Sequence, residues 1–344
     1  MAQYDSIAPE DLTVAVHPWV AEAKHGLRWG VQLITPNEPH ALQNLLTTAA
    51  TVEDLGYDYL SIFDHPLMHV DPWIALSGIA TRTKRVRLGS TVNCAYYRHP
   101  AYLVRLATDL DNLSNGRHVL GLGSGWLRPE FAALGLDFGT FSERSAALED
   151  TLAIVRGVWN EPPFSFEGRI FSTVDMEAVP PPVQKPAPPI LVAGNGEKVT
   201  LRQVAHWGDA CNIKEDVSLS DETIGDHVRA ERVQRLMTAL DDHCTDLERD
   251  PAEVLRTHFT LYLTLAETME KARARANALD TAKSTSPGTR REGTHAMLVA
   301  DPDRAIAYYQ TMAEIGIQYF IVQLDARDAE TIELLKTKVA PNVH

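Results

Sequence analysis

From Trp29 onward, short runs of β-branched and apolar residues alternate with longer amphipathic stretches, and no other feature of the sequence constrains the fold as much. Repeated β-then-α order is the pattern of a parallel sheet built from βα units. Strands are predicted at Trp29–Ile34, Tyr59–Phe63, Val86–Val92, His118–Leu122, Ile190–Ala193, Ala210–Ile213, Thr257–Leu263 and Tyr319–Gln323. Between them Leu42, Leu45, Leu46, Ala49, Val52 and Leu55 recur at helical spacing, with Gly56 as the C-terminal stop, and Leu148, Leu152, Val155 and Val158 mark another helix. Eight strands favour a closed (β/α)8 TIM barrel, because an open doubly wound sheet stops nearer about five or six.

Two stretches interrupt the pattern. Residues 161–189 hold too many prolines, Pro180, Pro181 and Pro182 in a row among them, for a helix or a central strand. Residues 281–294, rich in Ser, Thr and Gly, read as a loop or lid. The expected organisation is an N-terminal extension over 1–28 and one barrel over 29–344 with these two insertions.

Composition sets the outer limits. A length of 344 residues with 44% hydrophobic and 7% aromatic residues suits a single large core. No apolar run approaches the roughly 18 residues of a membrane helix, and Met1–Glu10 lacks the basic and apolar regions of a secretory signal. A cytoplasmic location is expected, with no membrane partner. Cys94, Cys211 and Cys244 are too widely spaced for a disulfide framework or a zinc site, so no metal is expected. A net charge of −14 without a basic stripe speaks against nucleic acid as a partner.

In a barrel of this kind chemistry belongs at the C-terminal strand ends. After the second strand come Asp64, His65 and Pro66, either a polar pair in which His65 carries a proton or a turn with a solvated histidine. After the third come Tyr96, Tyr97, Arg98 and His99, able to stack on and hydrogen-bond a planar ligand, or to pack beneath the loop. Gly121, Gly123 and Gly125 alternate along the next strand with Ser124 and Trp126, where missing side chains would let a planar ligand approach. A dinucleotide fingerprint fails there, since Leu127 stands at its last glycine. After the fifth strand Gly194, Asn195 and Gly196 lead into a helix whose free N–H groups suit an anion, with Lys198 and Arg202 beside it, or form an ordinary βα turn.

Several stretches taken together resemble the luciferase-like monooxygenase family: Leu88–Val92, Tyr97–Pro100, Thr108–Arg117, Gly121–Trp126 with Glu130, Pro188–Gly196 and Trp207–Asn212. Within it the chain looks closest to oxidoreductases that use the deazaflavin coenzyme F420. The resemblance implies a tricyclic ring in the barrel mouth and a cis peptide between Thr91 and Val92. It also implies contacts from Asp64, Ser124, Gly125 and Trp126, a phosphate turn at Gly194, Asn195 and Gly196, and proton transfer by His65. Hydride exchange between F420 and a small organic substrate is the implied reaction. FMN-dependent oxygenation, with reduced flavin from a separate reductase, is the alternative, and a non-catalytic flavin-binding barrel the second. A homodimer is implied as well. Where sugar-phosphate dehydrogenases of the family carry an acid, this chain has Trp126, so that substrate class is not carried over. Arg98, Arg290 and Arg291 are candidates for the further positive charge that an F420 tail would call for.

Overall fold

The computed structural model describes residues 15–35, 39–214, 227–283 and 298–344. Arg290, Arg291 and most of the predicted 281–294 loop lie outside the described residues, as do 1–14 of the extension.

Eight parallel strands form the barrel: β1 (Arg28–Ile34), β2 (Tyr59–Ile62), β3 (Arg87–Ser90), β4 (His118–Gly123), β5 (Ile190–Ala193), β6 (Ala210–Lys214), β7 (Leu255–Thr260) and β8 (Tyr319–Asp325). Each pairs with its neighbours in chain order, and β8 returns to β1 with Arg28 opposite Tyr319, which closes the ring. Every predicted strand is present. Three end earlier than expected, the second by one residue at Ile62. The third stops at Ser90, and pairing with β4 resumes only at Asn93 and Cys94. The seventh stops at Thr260, and Leu263–Leu265 pairs instead with Leu298–Ala300 in a separate ribbon.

Side chains alternate across each strand, as a closed sheet requires. Trp29, Val31 and Leu33 of β1 and Phe320, Val322 and Leu324 of β8 belong to the large core beneath the helices. Tyr59, Val119, Leu191, Ala210, Leu255 and Tyr319, all near strand starts, form a smaller inner cluster with Trp19, Val20 and Ala23. The segment read from sequence as an extension thus contributes a short helix, Pro18–Glu22, whose Trp19 fills the barrel floor. The proline-rich insertion also holds regular structure, an antiparallel hairpin of Phe164–Glu167 and Ser172–Met176. Asp150 holds its connection by accepting from the N–H groups of Ile170 at 2.6 Å and Phe171 at 2.9 Å.

Candidate active site

The chain leaving β2 carries Phe63, Asp64 and His65 into the mouth. Asp64 is buried, and its carboxylate accepts two hydrogen bonds from Arg98, at 2.6 and 3.1 Å, and one from the Cys94 N–H at 3.3 Å. Burial pushes its carboxyl up, and the Arg98 guanidinium pulls the other way. Arg98 also donates to Asp71, which caps the helix α1 (Pro72–Arg82) through the Trp73 and Ile74 N–H groups. Asp64 therefore fastens the β2 loop to the β3 loop. Arg98, engaged by two carboxylates, is not a spare cation for a cofactor tail, contrary to the expectation from sequence.

His65 sits between two aromatic rings, Phe63 at 5.1 Å and Trp126 at 5.7 Å, both edge-on. Its Nδ1 lies 2.8 Å from Oε2 of Glu130, whose side chain is 0% exposed. The same Oε2 accepts from the Tyr97 hydroxyl at 2.8 Å, and Oε1 accepts a long bond from the Leu67 N–H at 3.4 Å. Burial and the Glu130 hydrogen bond push the Tyr97 hydroxyl well above its ordinary range. Glu130 had no assigned role in the sequence reading. No spacing rule joins residues 65 apart in the chain, and only the barrel brings them together. His69 was likewise overlooked: its Nε2 accepts from the Thr35 N–H at 3.0 Å, and burial pushes its imidazole down to about 4.

The Thr91–Val92 peptide is cis, at the position the resemblance implies. Around it the glycines of β4 find a use different from the one read from sequence. A Cβ on Gly121 would lie 1.9 Å from the Ser90 carbonyl oxygen, and one on Gly123 would lie 2.9 Å from the Val92 side chain. Gly125, at φ +77°, would place a Cβ 2.5 Å from the Cys94 sulfur. The missing side chains admit the chain after β3 rather than leaving room for a ligand. Gln32 donates to the Thr91 carbonyl and accepts from Gln323 at 2.5 Å. Tyr59 meets the Thr91 hydroxyl at 3.1 Å.

After β5, Gly194 (φ +146°) and Gly196 fold back on Thr200, which a Cβ on either would approach to 2.8 Å. Asn195 bonds the backbone of Lys214 in both directions, its Oδ1 accepting at 3.0 Å, so its side chain pins the turn to β6. Any ligand contact from Asn195 is thus left to its backbone. Lys198 and Arg202 are exposed on this side, at the start of the helix α2 (Thr200–Trp207).

A planar ring with N–H edges fits this mouth on one count in particular. Gln323 is buried and its Oε1 has no hydrogen-bond partner among the described residues, an acceptor left over on the inner wall. The α2 N-terminus, three strands around the ring from His65, suits a phosphate.

A family model described as luciferase-like monooxygenase matches residues 27–319. The chain belongs to this family. It is 26% identical over 304 residues to the F420-dependent glucose-6-phosphate dehydrogenase of Amycolatopsis mediterranei, covering 84% of this chain and 90% of that one. Among solved structures it resembles the coenzyme F420-dependent tetrahydromethanopterin reductase of Methanopyrus kandleri, with a TM-score of 0.74 and 16% identity over 93% of this chain and all of that one. It also resembles the FMN-bound oxygenating constituent of 3,6-diketocamphane monooxygenase of Pseudomonas putida, with a TM-score of 0.68 and 15% identity over 93% of this chain and 99% of that one. Among the described residues no helix is long and apolar enough to cross a membrane.

Proposed function

We propose that this oxidoreductase of the luciferase-like family uses coenzyme F420 to move a hydride to or from a small organic substrate, with His65 carrying the accompanying proton. The observation that carries the choice of cofactor is the match to an F420-dependent dehydrogenase along nine-tenths of that relative's length. When bound, the deazaflavin ring exchanges the hydride. The protein's part is positional: the inner-wall Gln323 Oε1 would take a ring N–H, and the Gly194 to Gly196 turn with the α2 N-terminus would hold phosphate. Ser124, Gly125 and Trp126 would border the ring, with the Thr91–Val92 peptide behind it. His65 would take the proton of a substrate hydroxyl, or return one to a carbonyl, with Phe63 and Trp126 edge-on at its flanks.

FMN is the second reading, supported by the likeness to an FMN-bound oxygenase, and it would require a separate reductase. A homodimer is also proposed, through α1 and the helix that follows β3, Pro100–Ser114, where Ile74 and Tyr102 are both 64% exposed.

One experiment tests the proposal. Apoprotein is titrated with F420 and with FMN, and turnover is then measured for wild type and His65→Ala. F420 is expected to bind more tightly, and the variant to lose roughly 10² to 10⁴ in kcat with little change in cofactor affinity, as removal of a general acid or base does. Tighter FMN binding with substrate-dependent oxygen uptake moves the function to the second reading. Unchanged turnover in His65→Ala removes it from the mechanism.

A further inference from the structure

Glu130 is carried on a helix of only six residues, Arg128–Ala133, and has no exposure, yet it lies against the one imidazole that faces Trp126 at the mouth. We propose that Glu130 is a positioning residue: it fixes neutral His65 as the Nδ1–H tautomer and so presents Nε2, with its lone pair free, to the substrate.

The geometry decides where the proton sits. Tyr97 keeps its O–H, because its ionisation is pushed far up by burial and by Glu130, and so it donates to Glu130 Oε2. Leu67 offers an N–H to the other oxygen. A carboxylate that receives donors on both oxygens acts as an acceptor, so the ring nitrogen 2.8 Å from Oε2 completes the set by donating. Among the described residues, the other charged and titratable groups nearby do not compete for Nδ1. His69 gives its Nε2 to the Thr35 N–H, Asp64 is held by Arg98 and Cys94, and Arg98 is shared between Asp64 and Asp71. Phe63 and Trp126 close the two flanks of the ring with apolar surface.

With Nδ1 occupied, the histidine can exchange a proton through Nε2 alone. A substrate hydroxyl that hydrogen-bonds to Nε2 passes its proton there as its carbinol carbon gives up hydride, and the reverse direction returns that proton to the carbonyl oxygen. The opposite tautomer would present an N–H where the hydroxyl also needs an acceptor. Tyr97 acts one step further out by holding the carboxylate in place.

This consequence for turnover rests on the proposed role of His65, whereas the tautomer itself does not, and the test separates the two. Protein labelled with 15N-histidine, without added cofactor at about pH 8, is examined by long-range 1H–15N correlation, and the His65 signals are identified by their loss in His65→Gln. The expected wild-type spectrum has a pyrrole-type Nδ1 and a pyridine-type Nε2. In Glu130→Gln the amide can offer either its oxygen or its NH2, so the Nδ1–H population should fall, and kcat should drop about 10²-fold with a smaller change in KM. Tyr97→Phe should keep the wild-type tautomer. A wild-type His65 protonated on Nε2 overturns the proposal even if no variant folds. So does Glu130→Gln with an unchanged tautomer. If the tautomer is as expected but His65→Ala turns over normally, the positioning stands and the proton-carrier role falls.

Discussion

Trp126 exposes 68% of its surface and still meets His65 edge-on at 5.7 Å, while Leu67, two residues after His65, is 49% exposed. A large indole left in water beside His65 is apolar area that a substrate can cover, worth on the order of 25 cal/mol per Å² removed from solvent. A substrate with an aryl or alkyl body should therefore gain from Trp126, and a sugar phosphate should not. In Trp126→Ala, KM across a series of secondary alcohols is expected to rise by roughly 2- to 10-fold, most for the longest chains, with kcat changing less, as loss of an aromatic contact worth about 0.5–1.5 kcal/mol predicts. Steady-state kinetics along the series check this, and a KM unaffected by the substitution at every chain length would remove Trp126 from substrate binding. At this scale the sequence was unevenly informative. Asp64 and His65 stood out because they follow directly on a strand whose end must face the mouth. Glu130 and His69 did not, because their partners are fixed by tertiary packing, and a carboxylate on a surface-like helix reads as solvated until the barrel closes over it.

The eight barrel strands were legible because each is a compact apolar run bounded by turn residues or by an amphipathic stretch, and closure follows from their number. Elements that depend on long-range contacts were harder to see. Pro18–Glu22 is a single helical turn, too short to show a period, although His17 caps it by accepting from the Trp19 N–H at 3.0 Å and Pro18 occupies its first position. The hairpin in the proline-rich insertion was hidden by the prolines that flank it, while Phe164, Phe166 and the intervening serine already alternate as a strand does. The short N-terminal helix matters more to the fold than its length suggests. Trp19 is among the largest fully buried side chains and packs edge-on against Tyr319 at 5.7 Å, with Tyr59 beyond it. Trp19→Ala would open a cavity in the barrel floor and is expected to cost roughly 3–5 kcal/mol, a fall in Tm of about 4–7 °C. Scanning calorimetry checks it; a Tm within about 1 °C of wild type would mean that the floor is closed without this residue.

For the whole molecule, closing a barrel inside a ring of helices removes several histidines from water. His17, His69, His118 and His258 all have imidazoles pushed down to about 4, in each case chiefly by burial. Unfolded, each would titrate near 6.5, so between about pH 6.5 and 4 the unfolded chain binds more protons than the folded one. Stability therefore rises with pH across that window. It is fully present above about 6.5 and lost progressively as the pH falls toward 4. His258 isolates the effect best. It is completely buried beside Tyr308 at 6.1 Å and Phe320 at 6.4 Å, and neither ring nitrogen has a hydrogen-bond partner among the described residues. Neutral, it already leaves two polar atoms unsatisfied; protonated, it would bury a charge with nothing to pair it. Its share of the acid loss is roughly 3 kcal/mol by pH 4, from a fall of about 2.5 pH units at about 1.4 kcal/mol each. His258→Leu removes both liabilities while keeping the apolar contact. The variant should melt at or slightly above the wild-type temperature near pH 7.5 and gain on wild type steadily as the pH is lowered from 6.5 to 4.5. Melting curves at several pH values through that range measure the difference, and two curves that stay parallel would show that His258 does not titrate on unfolding.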